Sequence, residues 1–327
     1  MKILVLGGTQ FLGRHVVEAA LASGHELTLF NRGRHNTELF PHVEKLRGDR
    51  DDDLGALSGR CFDAVIDTSG YRPEQMQRVA NTIGGSVGHY VFVSSISVYR
   101  AFPPGVVFDE TAPLQAGTDG YGALKVRSEE AIEAAMPGRV AIVRPGLIAG
   151  PQDPTGRFTY WPRRLAQGGE LLAPGRPERP LQWLDVRDLA AWCVLLAERR
   201  VAGVFNASAS GTTMGHLLAS CRAVVGSAAQ LTWLPDSWLL GAGVNPWTEL
   251  PLWIPEHDAA FGGMLLADNH RALQAGLTAR SVEETIAATW QWVRESPDRP
   301  EDAATRVATL TPEREAQLLA EAARQRA

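Results

Sequence analysis

Residues 2–14 read KILVLGGTQFLGR. After its lysine, KILVL is apolar without alternation and runs directly into two adjacent glycines. Such a run suits a parallel strand covered on both faces, and the glycines suit a tight turn from strand to helix. Gly7 and Gly13 stand where the outer glycines of a phosphate-cradling loop stand, with Gln10 in place of the usual middle glycine. In such a loop the first glycine permits the turn, the middle one lets backbone approach a pyrophosphate, and the last lets the helix pack closely. The helix N-terminus adds free N–H groups and a positive dipole end. Two glycines of three also fit an ordinary strand–turn–helix, so the rest of the chain must decide.

Outward from this loop the pattern repeats. FLGRHVVEAALASG has helical spacing and stops at Gly24, a C-cap residue. ELTLF reads as a second strand and VEKLRGD as a third. FDAVIDTS, HYVFVSS and RVAIVRP follow as strands, separated by the helices PEQMQRVANTI and DGYGALKVRSEEAIEAAM. Strands alternating with helices predict an α/β fold, a doubly wound parallel Rossmann sheet with its site along the strand C-termini. Beyond Pro145 the texture changes. Residues 146–180 are rich in Gly, Pro and Arg, and four of the nine tryptophans lie in 231–262. LQWLDVRDLAAWCVLLAE reads as a returning strand and helix, GVFNAS as another strand, and Thr213 to Val225 as a helix. SVEETIAATWQWVRE is amphipathic, and PEREAQLLAEAARQ reads as a terminal helix after a polar linker near 296–309. The expected division is a dinucleotide-binding Rossmann domain (1–150 plus 181–208), a smaller mixed substrate-binding cap (151–180 plus 209–295), and a linker with terminal helix (296–327).

The chain has 327 residues, 45% of them hydrophobic, enough for well-buried cores. Its net charge of −5, with no basic stripe, argues against a nucleic-acid partner. Cys61, Cys193 and Cys221 are far apart and read as reduced core thiols of a cytoplasmic protein. No apolar run reaches the length of a membrane span, and the start reads as a buried strand rather than a signal peptide. The eight histidines show no metal-ligand spacing. His257 in EHD reads as a solvated loop, so no metal is expected.

Two further motifs bear on chemistry. Tyr121 and Lys125 form Y-x-x-x-K at the start of a predicted helix, and that spacing puts both on one face. An ammonium beside a phenol favours the phenolate, so the Tyr121 pKa is expected to fall from about 10. VFVSSISVY is a buried strand ending in serines, and Ser95 at its end could polarise a carbonyl while Tyr121 moves the proton.

Taken together, GGTQFLG, SSISVY, YGALK, RPGLIAGP and LDVRDLA resemble the short-chain dehydrogenase/reductase superfamily over about residues 1–295. The likeness is to its extended and atypical branch of epimerases, dehydratases and reductases. The resemblance implies Tyr121 as acid/base, Lys125 as the residue that holds the nicotinamide ribose and lowers the tyrosine pKa, and Ser95 as the hydroxyl orienting the substrate. It implies cofactor contacts from Gly7, Thr9, Gln10, Phe11, Leu12 and Gly13, from Asp67, Thr68 and Ser69 after the fourth strand, and from Val93 and Ser94. Pro145, Gly146, Leu147 and Ile148 would border the nicotinamide, and Asp49 in RGDR would contact the adenine, with a turn cap as the alternative. There are departures. Gln10 replaces the middle glycine, as in members with a GGTxFxG loop that include chloroplast stem-loop RNA-binding proteins. DTSGY stands where LAA is common, leaving Tyr71 as a possible substrate contact, and Arg100 follows SVY in place of glycine. Ser95-Ile96-Ser97 stands where dehydratases carry Thr-Asp-Glu, which argues against sugar dehydration.

The second strand ends in Asn31, Arg32 and Arg34. A carboxylate there would bind a ribose 2′-hydroxyl, whereas arginine accommodates a 2′-phosphate. NADP(H) is therefore favoured, with NAD(H) as the alternative. Gln10 itself is expected at negative φ, because a long side chain is disfavoured at positive φ. Aromatics interleaved with arginine suit a planar or anionic ligand, so Arg157, Phe158, Trp161 and Trp183 join Tyr71 and Ser97 as candidate substrate contacts, with an ordinary packed cap carrying a few surface charges as the equal alternative. Trp192 and Trp290 read as core. The functional expectation is an NADP(H)-dependent carbonyl reductase or dehydrogenase of a small metabolite, as a monomer or homodimer. The alternatives are a nucleotide-sugar epimerase with retained NAD and a non-catalytic nucleotide- or RNA-binding relative.

Overall fold

KILVL forms strand β1 (Lys2–Leu6), and its burial explains its composition: Ile3 and Val5 enter one core while Leu4 and Leu6 enter another. Alternation of side chains across a strand that is covered on both faces produces such a continuous apolar run. In the computed structural model, which describes residues 1–296 and 306–326, the chain continues through helix α1 (Phe11–Ala22), β2 (Glu26–Asn31), β3 (Glu44–Arg47), β4 (Phe62–Asp67) and α2 (Pro73–Ile83). Next come β5 (Val87–Val93), α3 (Tyr121–Ala135), β6 (Val140–Pro145), β7 (Ile148–Ala149), α4 (Tyr160–Ala166) and β8 (Glu170–Pro174). β9 (Pro180–Leu181), β10 (Leu184–Asp185), α5 (Val186–Arg199), β11 (Gly203–Ala207), β12 (Thr212–Thr213), α6 (Met214–Val225) and β13 (Gln230–Leu234) follow. The chain closes with α7 (Asp236–Gly241), α8 (His270–Gln274), α9 (Val282–Glu295) and α10 (Pro312–Arg326). Most of the linker expected near 296–309 lies outside the described residues.

Seven parallel strands build the main sheet in the order β11-β6-β5-β4-β1-β2-β3. The protein is an α/β Rossmann fold. One face is covered by α1 and α5, whose Val16, Val17, Leu189 and Val194 pack on Val5 and Val91. The other is covered by α2 and α3 through Met76, Val79 and Ile132. β1 lies between β2 and β4, so the chain leaves it in opposite directions on the two sides. The loops after β1 and β4 therefore part at their C-terminal ends and form a crevice there.

The later elements surround a separate core. Phe158, Trp161, Leu171, Leu218 and Trp253 meet there, and α10 adds Leu318 and Ala322. A fourth, small cluster joins Tyr99, Phe102 and Phe108 to Ala267, tying the segment after β5 to the cap. Cys193 and Cys221 are buried, but Cys61 is exposed, at the start of β4 where the strand emerges from a turn, so it is not the core thiol expected. Among the described residues no helix is long and apolar enough to cross a membrane.

Candidate active site

The glycine loop opens the crevice. Gly7 and Gly8 hold φ of 114° and 94°, angles that side chains rarely tolerate. A Cβ on Gly13 would stand 2.7 Å from the Gly8 backbone nitrogen, so this position must be bare for α1 to lie on the turn. Gln10 has the negative φ expected of it, −132°. The unusual angle falls one residue later, on Phe11 at 31°. The Gln10 side chain does not cap α1, and the first turn holds no acidic residue. The N-terminal end of α1 thus keeps its positive dipole with no side chain capping or neutralising it. Leu12 is buried beneath the loop, whereas Thr9 hands its carbonyl to the Asn36 amide at 2.8 Å.

Asn31 ends β2 with both ends of its amide engaged. Its Nδ2 donates to the Gly7 carbonyl at 3.0 Å, and its Oδ1 accepts from Gly33 N–H at 2.9 Å and from Arg47 Nη1 at 3.1 Å. Arg32 and Arg34 are exposed beside it. Nothing in the RGDR run singles out Arg47, and its Asp49 is not the residue that faces this end of β2. Asp49 caps a turn, its carboxylate accepting Asp51 N–H at 3.1 Å. The two flanking arginines reach toward the site instead: Arg47 to Asn31, and Arg50 to the end of β4.

At the end of β4 the carboxylate of Asp67 is fully buried and fully engaged. It accepts Arg50 Nη1 and Nη2 at 2.9 and 2.8 Å, the Tyr90 hydroxyl at 2.7 Å and Ser69 N–H at 2.9 Å. Thr68 and Ser69 donate their hydroxyls to the Leu6 carbonyl at 3.2 and 3.1 Å, stitching the β4 loop to the β1 loop. Next to them Gly70 offers its carbonyl to Lys125.

Helix α3 begins at Tyr121, and its first turn carries Tyr121 and Lys125 on one face. Lys125 is 2% exposed. Its Nζ donates to Gly70 O at 2.6 Å and Val93 O at 2.9 Å, and lies 5.0, 4.8 and 5.9 Å from the ring centres of Tyr71, Phe92 and Tyr121. Burial pulls its pKa down to about 8, against the attraction of Asp67. Tyr121 is 49% exposed as a residue, yet its hydroxyl lies in crowded surroundings. Burial pushes its pKa up, a hydrogen bond with Ser95 pulls it down, and the nearby Tyr71 phenol adds to the rise. The expected fall is therefore reversed: the Lys125 ammonium is turned onto two backbone carbonyls and under the ring, not onto the phenolic oxygen. Ser95 Oγ accepts Ser97 N–H at 3.0 Å and donates to Ser97 Oγ at 3.1 Å, so Ser97 and Tyr71 join Ser95, Tyr121 and Lys125 in one cluster.

Ser94 points the other way. Its hydroxyl is bound by the carboxylate of Glu129, which also holds Arg144 through bonds of 3.1 and 2.6 Å. Arg144 is a lone charge in an apolar strand, whereas Glu129 sits among the other charges of α3 and Arg50 in the acidic run RGDRDDD, so neither stands out in sequence. Pro145 is buried at the end of β6, while Leu147 and Ile148 are half-buried beyond it.

The cap candidates do not join this cluster as a group. Phe158 and Trp161, expected at a pocket, are wholly buried in the cap core, where the Trp161 indole donates to Pro251 O at 3.0 Å. Arg157 lies over the Trp247 ring at 5.5 Å, within the cap. Trp183 packs on Phe158 at 5.3 Å between ring centres and edges a cavity of about 160 Å³ with Ser210, Thr212 and Arg280.

The bare glycine turn and the crevice between β1 and β4 are those of a Rossmann fold, and Ser95, Tyr121 and Lys125 gather on the same edge. Residues 3–208 match the model of the NAD dependent epimerase/dehydratase family, and the chain belongs to that family. A chloroplast stem-loop binding protein of 41 kDa from Arabidopsis thaliana is 26% identical over 63% of this chain and 58% of its own. A 2-alkyl-3-oxoalkanoate reductase from Stenotrophomonas maltophilia is 32% identical over 47% of this chain and 52% of its own. The match thus spans little more than half the length of these relatives. Among solved structures, a UDP-glucose 4-epimerase from Thermotoga maritima superposes with a TM-score of 0.67 at 19% identity, covering 91% of this chain and all of the other.

Proposed function

We propose that this protein is an NADP(H)-dependent reductase or dehydrogenase acting on a carbonyl group of a small metabolite. In this reading residues 1–150 with 181–208 hold the dinucleotide, and the cap at 151–180 with 209–295 closes over the substrate. The observation that carries the reading is the convergence of Ser95, Tyr121 and Lys125 beside the glycine loop. The loop residues Gly7 to Gly13 would hold the pyrophosphate on the α1 N-terminus, with Val93, Pro145, Leu147 and Ile148 lining the far end. When bound, the nicotinamide supplies or accepts a hydride at the substrate carbon. Ser95 donates a hydrogen bond to the substrate oxygen, and Tyr121 gives that oxygen its proton. The Tyr121 phenol, its pKa raised by burial, carries its proton at neutral pH and so has one to give to that oxygen. Lys125 places a buried positive charge beside the rings of Tyr71 and Tyr121.

Three guanidinium groups support the choice of NADP(H). Arg32 and Arg34 flank the end of β2, and Arg47 is held beside it by Asn31. The Asn31 amide is already engaged on both ends, so the position that would otherwise hold a ribose hydroxyl is surrounded by positive charge. The cofactor is tested by comparing the affinities for NADPH and NADH of the wild type and of Arg32→Ala. Tighter NADH binding by the wild type overturns the NADP(H) reading. A screen of carbonyl substrates for NADPH consumption tests the reaction, and turnover with no net change in cofactor would instead mark an epimerase.

A further inference from the structure

Arg50 and Asp67 form a buried pair directly behind Lys125. The Arg50 guanidinium grips both carboxylate oxygens of Asp67, donates to Ser69 Oγ at 3.2 Å and reaches Met76 Sδ at 3.5 Å. Asp67 in turn accepts Ser69 N–H. The backbone from 67 to 70 is thereby clamped from two sides. Gly70 follows immediately and is packed tightly: a Cβ there would stand 3.1 Å from Asp67 Oδ2 and 2.7 Å from both Met76 Sδ and the Phe92 ring. The carbonyl so fixed is the one that accepts Lys125 Nζ at 2.6 Å.

We propose that the Arg50–Asp67 pair is a positioning and charge-balancing device for Lys125, setting the Gly70 carbonyl that holds the ammonium and acting on that ammonium with two opposed charges. The inference rests on the reading of Lys125 as an active-site group. Arg50 and Asp67 are positioning residues, since they act through Lys125.

The groups facing Lys125 can be enumerated. Across the β4 loop lie Asp67 and Arg50. One turn along α3 lies Glu129, itself paired to Arg144. The phenols of Tyr71 and Tyr121 stand over the ammonium. Each carboxylate has its own arginine, so the ammonium is buried with no carboxylate of its own. Burial lowers its pKa first, Asp67 and Glu129 draw it back up, and Arg50 lowers it further. Removing either member of the pair breaks the same bidentate contact, yet leaves opposite charges beside Lys125.

That opposition is the test. Lys2, Lys45 and Lys125 are the only lysines in the chain, so a side-chain NMR titration of lysine-labelled protein resolves each, with Lys125 identified by its loss in Lys125→Arg. Asp67→Asn leaves the Arg50 charge unopposed and is expected to lower the Lys125 midpoint by about one unit. Arg50→Gln leaves the Asp67 charge and is expected to raise it by about as much, the scale of shift a nearby charge produces. If the pair merely supported the fold, both variants would loosen the pocket and move the midpoint the same way, toward an ordinary lysine. Shifts of the same sign, or no shift in either variant, overturn the proposal. Should Asp67→Asn fail to fold, Arg50→Lys set against Arg50→Gln carries the test: the charge-retaining variant should keep the wild-type midpoint and the neutral one should raise it, whereas equal midpoints overturn the proposal. The titration needs neither cofactor nor substrate. Its failure leaves the oxidoreductase reading standing, and absence of NADPH turnover leaves this result standing.

Discussion

The two sides of the molecule use aromatic residues in opposite ways. At the sheet edge Tyr71 and Tyr121 are 52% and 49% exposed, and both stand over a buried ammonium. In the cap Phe158, Trp161 and Trp253 have no exposed surface. The cap has its own core to close, and large rings dominate the burial that closes it. The sheet edge already has two cores beneath it, so rings at its rim add little to stability and stay open. An aromatic beside a charge therefore marks a candidate site here only where the ring remains open.

The strongest way to break this comparison is Tyr121→Phe. It should lower kcat/KM for a carbonyl substrate by about 10²–10⁴, the scale of general acid–base catalysis, with the melting temperature essentially unchanged. Activity left intact would remove the proposed catalytic role. Trp161→Ala is the mirror experiment. It should cost about 3–5 kcal/mol of stability, read by denaturant titration, while kcat per folded molecule holds. A variant that instead melts like the wild type but no longer turns over would place Trp161 at the pocket after all. Arg47→Ala sharpens the picture of the cofactor end. Loss of a charge-assisted hydrogen bond worth about 1.5–3 kcal/mol should weaken NADPH binding tenfold or more and leave NADH untouched. Equal weakening of both would make Arg47 a support for the loop and not a reader of the phosphate.

The last test concerns pH. The Lys125 pKa is lowered in the folded protein from 10.5 to about 8. Below about 8 the group is charged in both states, and its burial cost is fully present. Between the folded and unfolded values the unfolded chain binds the extra proton, so the Lys125 contribution to stability improves as pH rises. Wild type should therefore gain stability relative to Lys125→Met across that window. Denaturant titrations of both proteins from pH 7 to pH 10.5 check it, and a difference that stays flat or widens against wild type would show that Lys125 is not held in a depressed state.

Much of this molecule is legible along the chain because the relevant physics is local. The apolar run of β1, the angles demanded at Gly7 and Gly8, and the single helical turn between Tyr121 and Lys125 depend on neighbours in sequence. Those features are enough for the α/β class, the position of the crevice and the Tyr121–Lys125 pair, whereas Ser95 reaches Tyr121 only once β5 and α3 pack together. Other features depend on partners far apart in the chain, such as Ser94 with Glu129, Arg50 with Asp67 and Trp161 with Pro251. RGDR shows the limit well: read along the chain it offers Asp49, but the strands fold so that Asp49 caps its own turn while Arg47 and Arg50 face the site. The protonation of Tyr121 and Lys125 belongs with this second group. A pKa reports burial and the charges around a group, and those are set by which segments pack together, so the turn that pairs the two residues could not foretell that the phenol would be held protonated and the ammonium turned onto Gly70 and Val93.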